Sequence, residues 1–237
     1  ILLSKFVKIK NKEQVMDLGA GTGIVPLRIY DLFKPKKIMG IEIQSEVAEM
    51  ANRSIKINNL EDRIEIINMD LKDISFKFKK STFDIITSNP PYIKKGSGII
   101  NPDETFALSR HEIQCTIEDI MEVSAYLLKE RGRLYLIHRP NRLVDIIWFS
   151  RKYNLEPKTI RFVQSRIYEK PNLLLLECVK GGNVELKFEK PLIVYDNNGN
   201  YTEEIYEIYG MKKENQNEKR SSLHLPYSYW KFRRYNP

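Results

Sequence analysis

Short apolar runs alternate along this chain with longer amphipathic stretches, and that alternation leaves few architectures open. "QVMDLG" (14–19), "KIMGIEI" (37–43), "IEIIN" (64–68), "FDIITSN" (83–89) and "GRLYLIH" (132–138) have the length and composition of strands. Between them, apolar residues recur at helical spacing near 23–33, 45–58, 107–129 and 141–153. Strand and helix in regular succession predict a doubly wound, mostly parallel sheet. "TIRFVQS" (159–165) and "LLLLECVK" (173–180) follow each other with no helix between them. They predict an antiparallel hairpin at the sheet edge, for seven strands in all.

At 237 residues and 42% hydrophobic, the chain can bury one good core, so one domain is expected. Cys115 and Cys178 lie 63 positions apart without partners at metal spacing, which argues against a disulfide framework and against a metal site. No apolar stretch approaches the ~18 residues of a membrane span, and no charged-apolar-small leader is visible, so a soluble cytoplasmic protein, with no membrane role and monomeric, is expected. The chain starts at Ile1, so a leading segment ahead of it is expected as well.

The formal net charge is +8, from 39 Lys and Arg against 31 Asp and Glu, and such a surplus favours polyanionic partners. From Met211 to Pro237 there are seven Lys and Arg against two Glu, interleaved with Tyr227, Tyr229, Trp230, Phe232 and Tyr235. The expected organisation is therefore a domain over 1–210 and a basic-aromatic tail over 211–237. The tail reads as a solvated extension, with an RNA-gripping arm as the alternative.

The first strand runs into "DLGAGTG", which sets Gly19, Gly21 and Gly23 in alternation after Asp17. Glycines at a strand-to-helix turn let the backbone approach a ligand and aim helix N–H groups at it, which implies a nucleotide-like ligand. The dinucleotide fingerprint wants a glycine where Ile24 stands, so NAD is disfavoured. Glu42 closes the second strand, placed to accept hydrogen bonds from both hydroxyls of a ribose. Asp70, after the third strand in "NMD", could read an adenine amino group. Turn chemistry alone also puts Asp and Gly at strand ends, and for Asp70 that plain reading carries weight.

"DLGAGTG", "GIEI", "NMD" and "TSNPPY" resemble, in order and spacing, the Rossmann-like S-adenosylmethionine-dependent methyltransferases whose Asn-Pro-Pro-Tyr members act on a planar nitrogen. "ILLSKFV", "ALSRHE", "LIHRPNRLVDII", "PKTIRFV" and "PLIVYDNNGNYTEEIYEIYG" narrow the likeness to the bacterial tRNA adenine-N6 methyltransferases that modify the adenine beside the anticodon of a valine tRNA. The resemblance implies S-adenosyl-L-methionine as cofactor and tRNA as partner. It also implies that Asp17, Gly19, Gly21, Gly23, Glu42, Asp70 and Asn89 bind the cofactor, and that Asn89, Pro90 and Tyr92 carry the chemistry.

An exocyclic amine is a poor nucleophile because its lone pair is delocalised into the ring. Acceptors on its two hydrogens, the Asn89 side-chain oxygen and the Pro90 carbonyl, would localise that pair and aim it at the methyl group. Pro90 and Pro91 each lock φ near −65° and stiffen the turn, while Tyr92 offers a ring face to an unstacked base. Arg110, His111 and Glu112 are candidates for the substrate side, and His138, Arg139 and Arg142 for phosphates; a solvated surface explains either group as well. The alternatives to a tRNA enzyme are methylation of a release-factor glutamine amide or of DNA adenine, and an inactive RNA-binding module.

Overall fold

The computed structural model describes residues 1–90 and 115–211. Each expected strand is there: β1 (Gln14–Leu18), β2 (Lys37–Glu42), β3 (Ile64–Asn68), β4 (Phe83–Ser88), β5 (Leu128–His138), β6 (Leu155–Gln164) and β7 (Leu173–Lys180). They form one sheet in the order β3-β2-β1-β4-β5-β7-β6. The strands from β3 to β5 are parallel, and β7 runs antiparallel to both β5 and β6. Two two-residue strands, β8 (Lys187–Phe188) and β9 (Leu192–Ile193), add themselves parallel to β6 and cover part of its outer edge.

Helices cover both faces. α1 (Leu2–Phe6), α2 (Ile24–Phe33), α3 (Ser45–Ile57) and α7 (Glu203–Tyr209) bury Leu3, Ile29, Ala51 and Ile205 in a core with Val15, Ile38 and Ile85. On the other face α4 (Ile74–Lys77), α5 (Ile117–Leu127) and α6 (Leu143–Lys152) contribute Ile74, Met121 and Ile146 to a core with Met16, Leu18 and Ile86. Successive residues of a strand point to opposite faces, so Val15 and Met16 serve different cores. Val15, Met16 and Leu18 of β1 are accordingly all buried, as the apolar residues of a strand covered on both sides must be.

The helix expected over 107–129 ends two residues early, at Leu127. Thr116 and Asp119 form a reciprocal capping box that starts α5 at Ile117. Leu128 is already extended and begins β5, four residues before the glycine where a strand was expected. Residues 107–114 of that expectation lie outside the described residues.

Gly40 couples the sheet to the loop after β1. A methyl group on it would stand 2.4 Å from Ile66 Cδ1 and 2.8 Å from Ala20 Cβ, so only hydrogen lets Ala20 pack on β2. We expect Gly40→Ala to cost about 1–3 kcal/mol, the usual range for forcing a methyl into a filled core. Urea unfolding checks it, with a lower midpoint at unchanged slope as the expected outcome.

Candidate active site

Because β1 to β5 run parallel, Leu18, Glu42, Asn68, Ser88 and His138 all end on one edge of the sheet. β1 lies between β2 and β4, and the chain order reverses there. Open α/β sheets hold ligands in the crevice at such a switch point. The loop from Gly19 to Gly23 and the end of β4 at Ser88 and Asn89 flank this one.

Backbone hydrogen bonds shape the glycine loop. The N–H groups of Gly19 and Ala20 both donate to the Ile41 carbonyl, at 2.9 and 2.8 Å. Gly21 donates to Glu42 Oε2 at 2.9 Å, and Gln44 N–H donates to Oε1 of the same carboxylate at 3.0 Å. Glu42 thus ties the loop after β1 to the start of α3. Gly19, Gly21 and Gly23 have φ of 74°, 54° and 80°, where an L side chain is strained. Their surroundings separate them. A Cβ on Gly19 or Gly21 would meet no atom within 4 Å, so the backbone is open to a ligand there. On Gly23 it would come within 3.2 Å of Ala51 Cβ, so this glycine serves the packing of α2 on α3.

Asp17 is 2% exposed and accepts a 2.5 Å hydrogen bond from the Thr87 hydroxyl. Burial pushes its carboxyl up to about 7, against the pull of the Thr87 hydroxyl, and the neighbouring Glu42 carboxylate adds a smaller push in the same direction. Glu42 is itself buried. Asn68 holds the end of β2 in place, its amide donating to the Glu42 and Ile43 carbonyls at 2.9 and 2.8 Å. Asp70 accepts from Lys72 N–H at 2.9 Å and caps the single 3₁₀ turn after β3, which is a turn role for that residue whatever else it does.

The register pairs Leu18 with Ser88, so Gly19 and Asn89 are the next residues outward on neighbouring strands. Ser88 Oγ donates to the Leu18 carbonyl at 2.9 Å and clamps the two chain ends together. Asn89 is exposed at the rim and Pro90 is buried behind it. Pro91, Tyr92, Arg110, His111 and Glu112 lie outside the described residues. His138 is buried, accepts from Arg139 N–H at 2.8 Å through Nδ1, and has its pKa lowered chiefly by burial, so its ring belongs to the turn more than to a phosphate. Arg139 donates to the Asn172 carbonyl and Arg142 pairs with Asp145 at 2.6 Å. Thr87 and Asn68 escape sequence reading, since a Thr inside an apolar strand and an Asn at a strand end carry no distinctive signal.

The TRM5/TYW2 methyltransferase domain matches residues 4–105. A tRNA1(Val) (adenine(37)-N6)-methyltransferase of Porphyromonas gingivalis is 30% identical over 200 residues, covering 83% of this chain and 78% of the relative. The chain belongs to this family. A second tRNA1(Val) (adenine(37)-N6)-methyltransferase, from Haemophilus influenzae, is 25% identical over 209 residues, covering 88% of this chain and 86% of its own. Among solved structures, a predicted O-methyltransferase of Agrobacterium tumefaciens superposes with a TM-score of 0.72 at 22% identity, over 88% of this chain and 94% of that one. A geranyl diphosphate C-methyltransferase of Streptomyces coelicolor, in complex with S-adenosyl-L-homocysteine, superposes at 0.55 and 12% identity, over 76% and 77% of the two chains. These two likenesses concern the methyltransferase fold, which is what the sheet order and the glycine loop express here.

Two outcomes test the methyltransferase's paired acids. Glu42→Ala leaves the Gly21 and Gln44 N–H groups without their acceptor, and calorimetry should show S-adenosylmethionine affinity lower by roughly ten- to a hundredfold. For Asp17, a folded-state pKa raised to about 7 means that the native protein keeps a proton the unfolded chain gives up near its ordinary value of 3.8. Stability contributed by that group is complete below 3.8 and is lost as pH rises toward 7. Asp17→Asn does not titrate, so its stability relative to the parent should rise across that window, by up to ~4 kcal/mol, and level off above it. Urea titrations at a series of pH values measure this directly.

Proposed function

We propose that this chain transfers a methyl group from S-adenosylmethionine to the exocyclic N6 of an adenine in tRNA, the anticodon-adjacent adenine of a valine tRNA. The observation that carries the proposal is the Leu18–Ser88 register, which seats Asn89 beside the glycine loop with Ser88 clamping the two strands. The residues present suit the cofactor. Backbone open at Gly19 and Gly21 would accept its close approach, the Glu42 carboxylate can take ribose hydroxyls on its remaining lone pairs, and the acids at this edge suit a cation. Asp70 is proposed on the adenine side.

When bound, S-adenosylmethionine supplies an electrophilic methyl group on a sulfonium. The chain's own residues supply the rest. The Asn89 side-chain oxygen and the Pro90 carbonyl would accept the two amine hydrogens of adenine, drawing the nitrogen toward tetrahedral and aiming its lone pair across the crevice. Pro90 is buried, its φ is restricted by its own ring and its ψ by the proline that follows, which narrows the directions its carbonyl can take before the base arrives. Tyr92 is assigned the stacking face for the extruded base. No general base is needed until the methylated nitrogen sheds its extra proton.

Residues 1–210 form the methyltransferase domain in this reading, with 211–237 as an appended tail, and the enzyme works as a monomer in the cytoplasm where its tRNA is. Among the described residues no helix is long and apolar enough to cross a membrane.

The test is methylation of total RNA with labelled cofactor followed by nucleoside mass spectrometry, in which label should accumulate in N6-methyladenosine from tRNA. No label in N6-methyladenosine from tRNA, with label transferred instead to release factor or DNA in parallel reactions, would sink the proposal. Asn89→Ala should bind cofactor and tRNA within a few-fold of the parent while single-turnover methylation slows ~10²–10³-fold, the loss typical of one fixed dipole at a developing charge.

A further inference from the structure

The loop joining β6 to β7 stands on the same edge as the site. His138 at the end of β5 pairs with Leu174, and Val163 near the end of β6 pairs with Leu173, so the connection Ser165–Asn172 projects from the edge that carries the glycine loop and Asn89. β7 is two strands from β4 and β6 is three. At ~4.8 Å per strand the hairpin lies roughly 10–15 Å along the edge from Asn89.

Its tip presents apolar and cationic side chains together. Ile167 is 70% exposed and Tyr168 71% exposed, adjacent on a turn with Arg166 before them and Lys170 after. Exposed hydrophobics on a loop are ordinary when the loop is loose, but this one is built. Glu169 N–H closes a turn onto the Arg166 carbonyl at 3.0 Å, Gln164 Nε2 donates to the Glu169 carbonyl at 2.6 Å, and Asn172 N–H returns to Val163 at 3.0 Å. Val194 and Tyr195 brace it from the side through N–H bonds to Gln164 and Ser165, both 2.9 Å. Arg139 donates to the Asn172 carbonyl at 3.2 Å and joins the turn after β5 to the hairpin. Around these two connected turns Arg142 pairs with Asp145 at 2.6 Å and Arg166 with Glu169 at 3.9 Å, and Arg139 and Lys170 bring the balance to two positive charges.

We propose that the β6–β7 hairpin is an RNA-docking surface, on which Tyr168, flanked by Ile167, stacks an unpaired base while Arg166, Lys170 and Arg139 hold the phosphates beside it. The surface rests on the tRNA reading above and deepens it. A cationic rim with a preorganised aromatic is the arrangement that binds single-stranded nucleic acid, and a span of roughly 10–15 Å corresponds to about three to four nucleotides at ~3.4 Å each. The hairpin would therefore grip the anticodon loop a few nucleotides from the adenine at Asn89, acting as a positioning element without touching the reacting atoms.

The test uses the full chain and an in vitro transcribed valine tRNA. Tyr168→Ala should weaken tRNA binding and raise the KM for tRNA by roughly five- to a hundredfold, the range for removing one base–aromatic stack, with Tyr168→Phe restoring most of it. Arg166→Ala combined with Lys170→Ala should lower the slope of log affinity against log salt by about 0.7 for each phosphate that is no longer neutralised. S-adenosylmethionine affinity should stay at the parental value in all of them, which also reports that they fold. Parental affinity and parental KM in Tyr168→Ala, from a parent that methylates tRNA, would overturn the hairpin while leaving the function standing. A parent that methylates no tRNA would instead remove the function. Parental RNA affinity with a changed sedimentation coefficient would make the hairpin a self-association surface and overturn the inference as well.

Discussion

The Glu42 carboxylate is the contact on which the crevice depends. One oxygen receives Gly21 N–H from the loop after β1 and the other receives Gln44 N–H from the entry to α3. A carboxylate accepting two backbone donors is a strong, directional clasp, because charge-assisted hydrogen bonds carry about twice the energy of neutral ones. It also makes two connections that belong to different strands behave as one piece. The loop would otherwise be three left-handed glycines with little to hold them. Glycine permits that conformation but does not select it, and the selection comes from Glu42 and from the two N–H bonds to the Ile41 carbonyl.

Around this clasp the second acid behaves differently. Asp17 has burial against it and a single hydroxyl partner in Thr87, so its proton leaves only near neutrality. Burial is the main reason, since a carboxylate out of water is costly, and the Glu42 carboxylate adds a smaller push in the same direction. A cationic ligand entering the crevice would relieve the tension by favouring the charged form of Asp17. Cofactor binding near neutral pH would then expel a fraction of a proton, as a direct consequence of the geometry that raises the carboxyl.

Most of the fold is legible in the sequence because its signals are local and repeated. Period-2 and period-3.6 apolar patterns reach strand and helix through the same burial that makes the two cores, which is why strands 14–18 and 64–68 match their expected bounds nearly to the residue. Misses fall where tertiary contacts decide. β8 and β9 are two residues each and exist only because β6 offers an open edge. α7 is only seven residues long, and although Glu203 and Glu204 fill its first turn and Gly210 ends it, a helix so short depends on Ile205 and Ile208 in the core. Of the site, Asp17, the glycines, Glu42 and Asn89 stand out because motif spacing reflects backbone geometry at one sheet edge. Gly40 and Thr87 do not, since their roles are defined by Ala20 and Asp17, residues brought near them only by folding. Gly23 reads in the sequence as a ligand glycine, and the structure adds that it also lets α2 pack close to Ala51, a second demand for glycine that sequence does not show.

The identity of residue 89 follows from its neighbours. A carboxylate there would also accept an amine hydrogen, and on acceptor strength alone it would do so better than an amide. It would, however, be a further acid on an edge that already holds Asp17, Glu42 and Asp70, the first of which has its carboxyl pushed up by burial and, to a smaller extent, by the second. Each added negative charge at close range raises the cost of ionising the others and opposes the approach of a phosphate backbone. An amide gives the acceptor without the charge. Placed at the exposed end of β4, with Ser88 clamped to Leu18 behind it and Pro90 buried beyond it, that amide is a neutral dipole at the rim of an acidic crevice. On the proposed reading this would separate two electrostatic tasks: the Glu42 carboxylate lies buried, where a cationic cofactor could use it, and the neutral amide lies at the mouth, where a polyanion would come close.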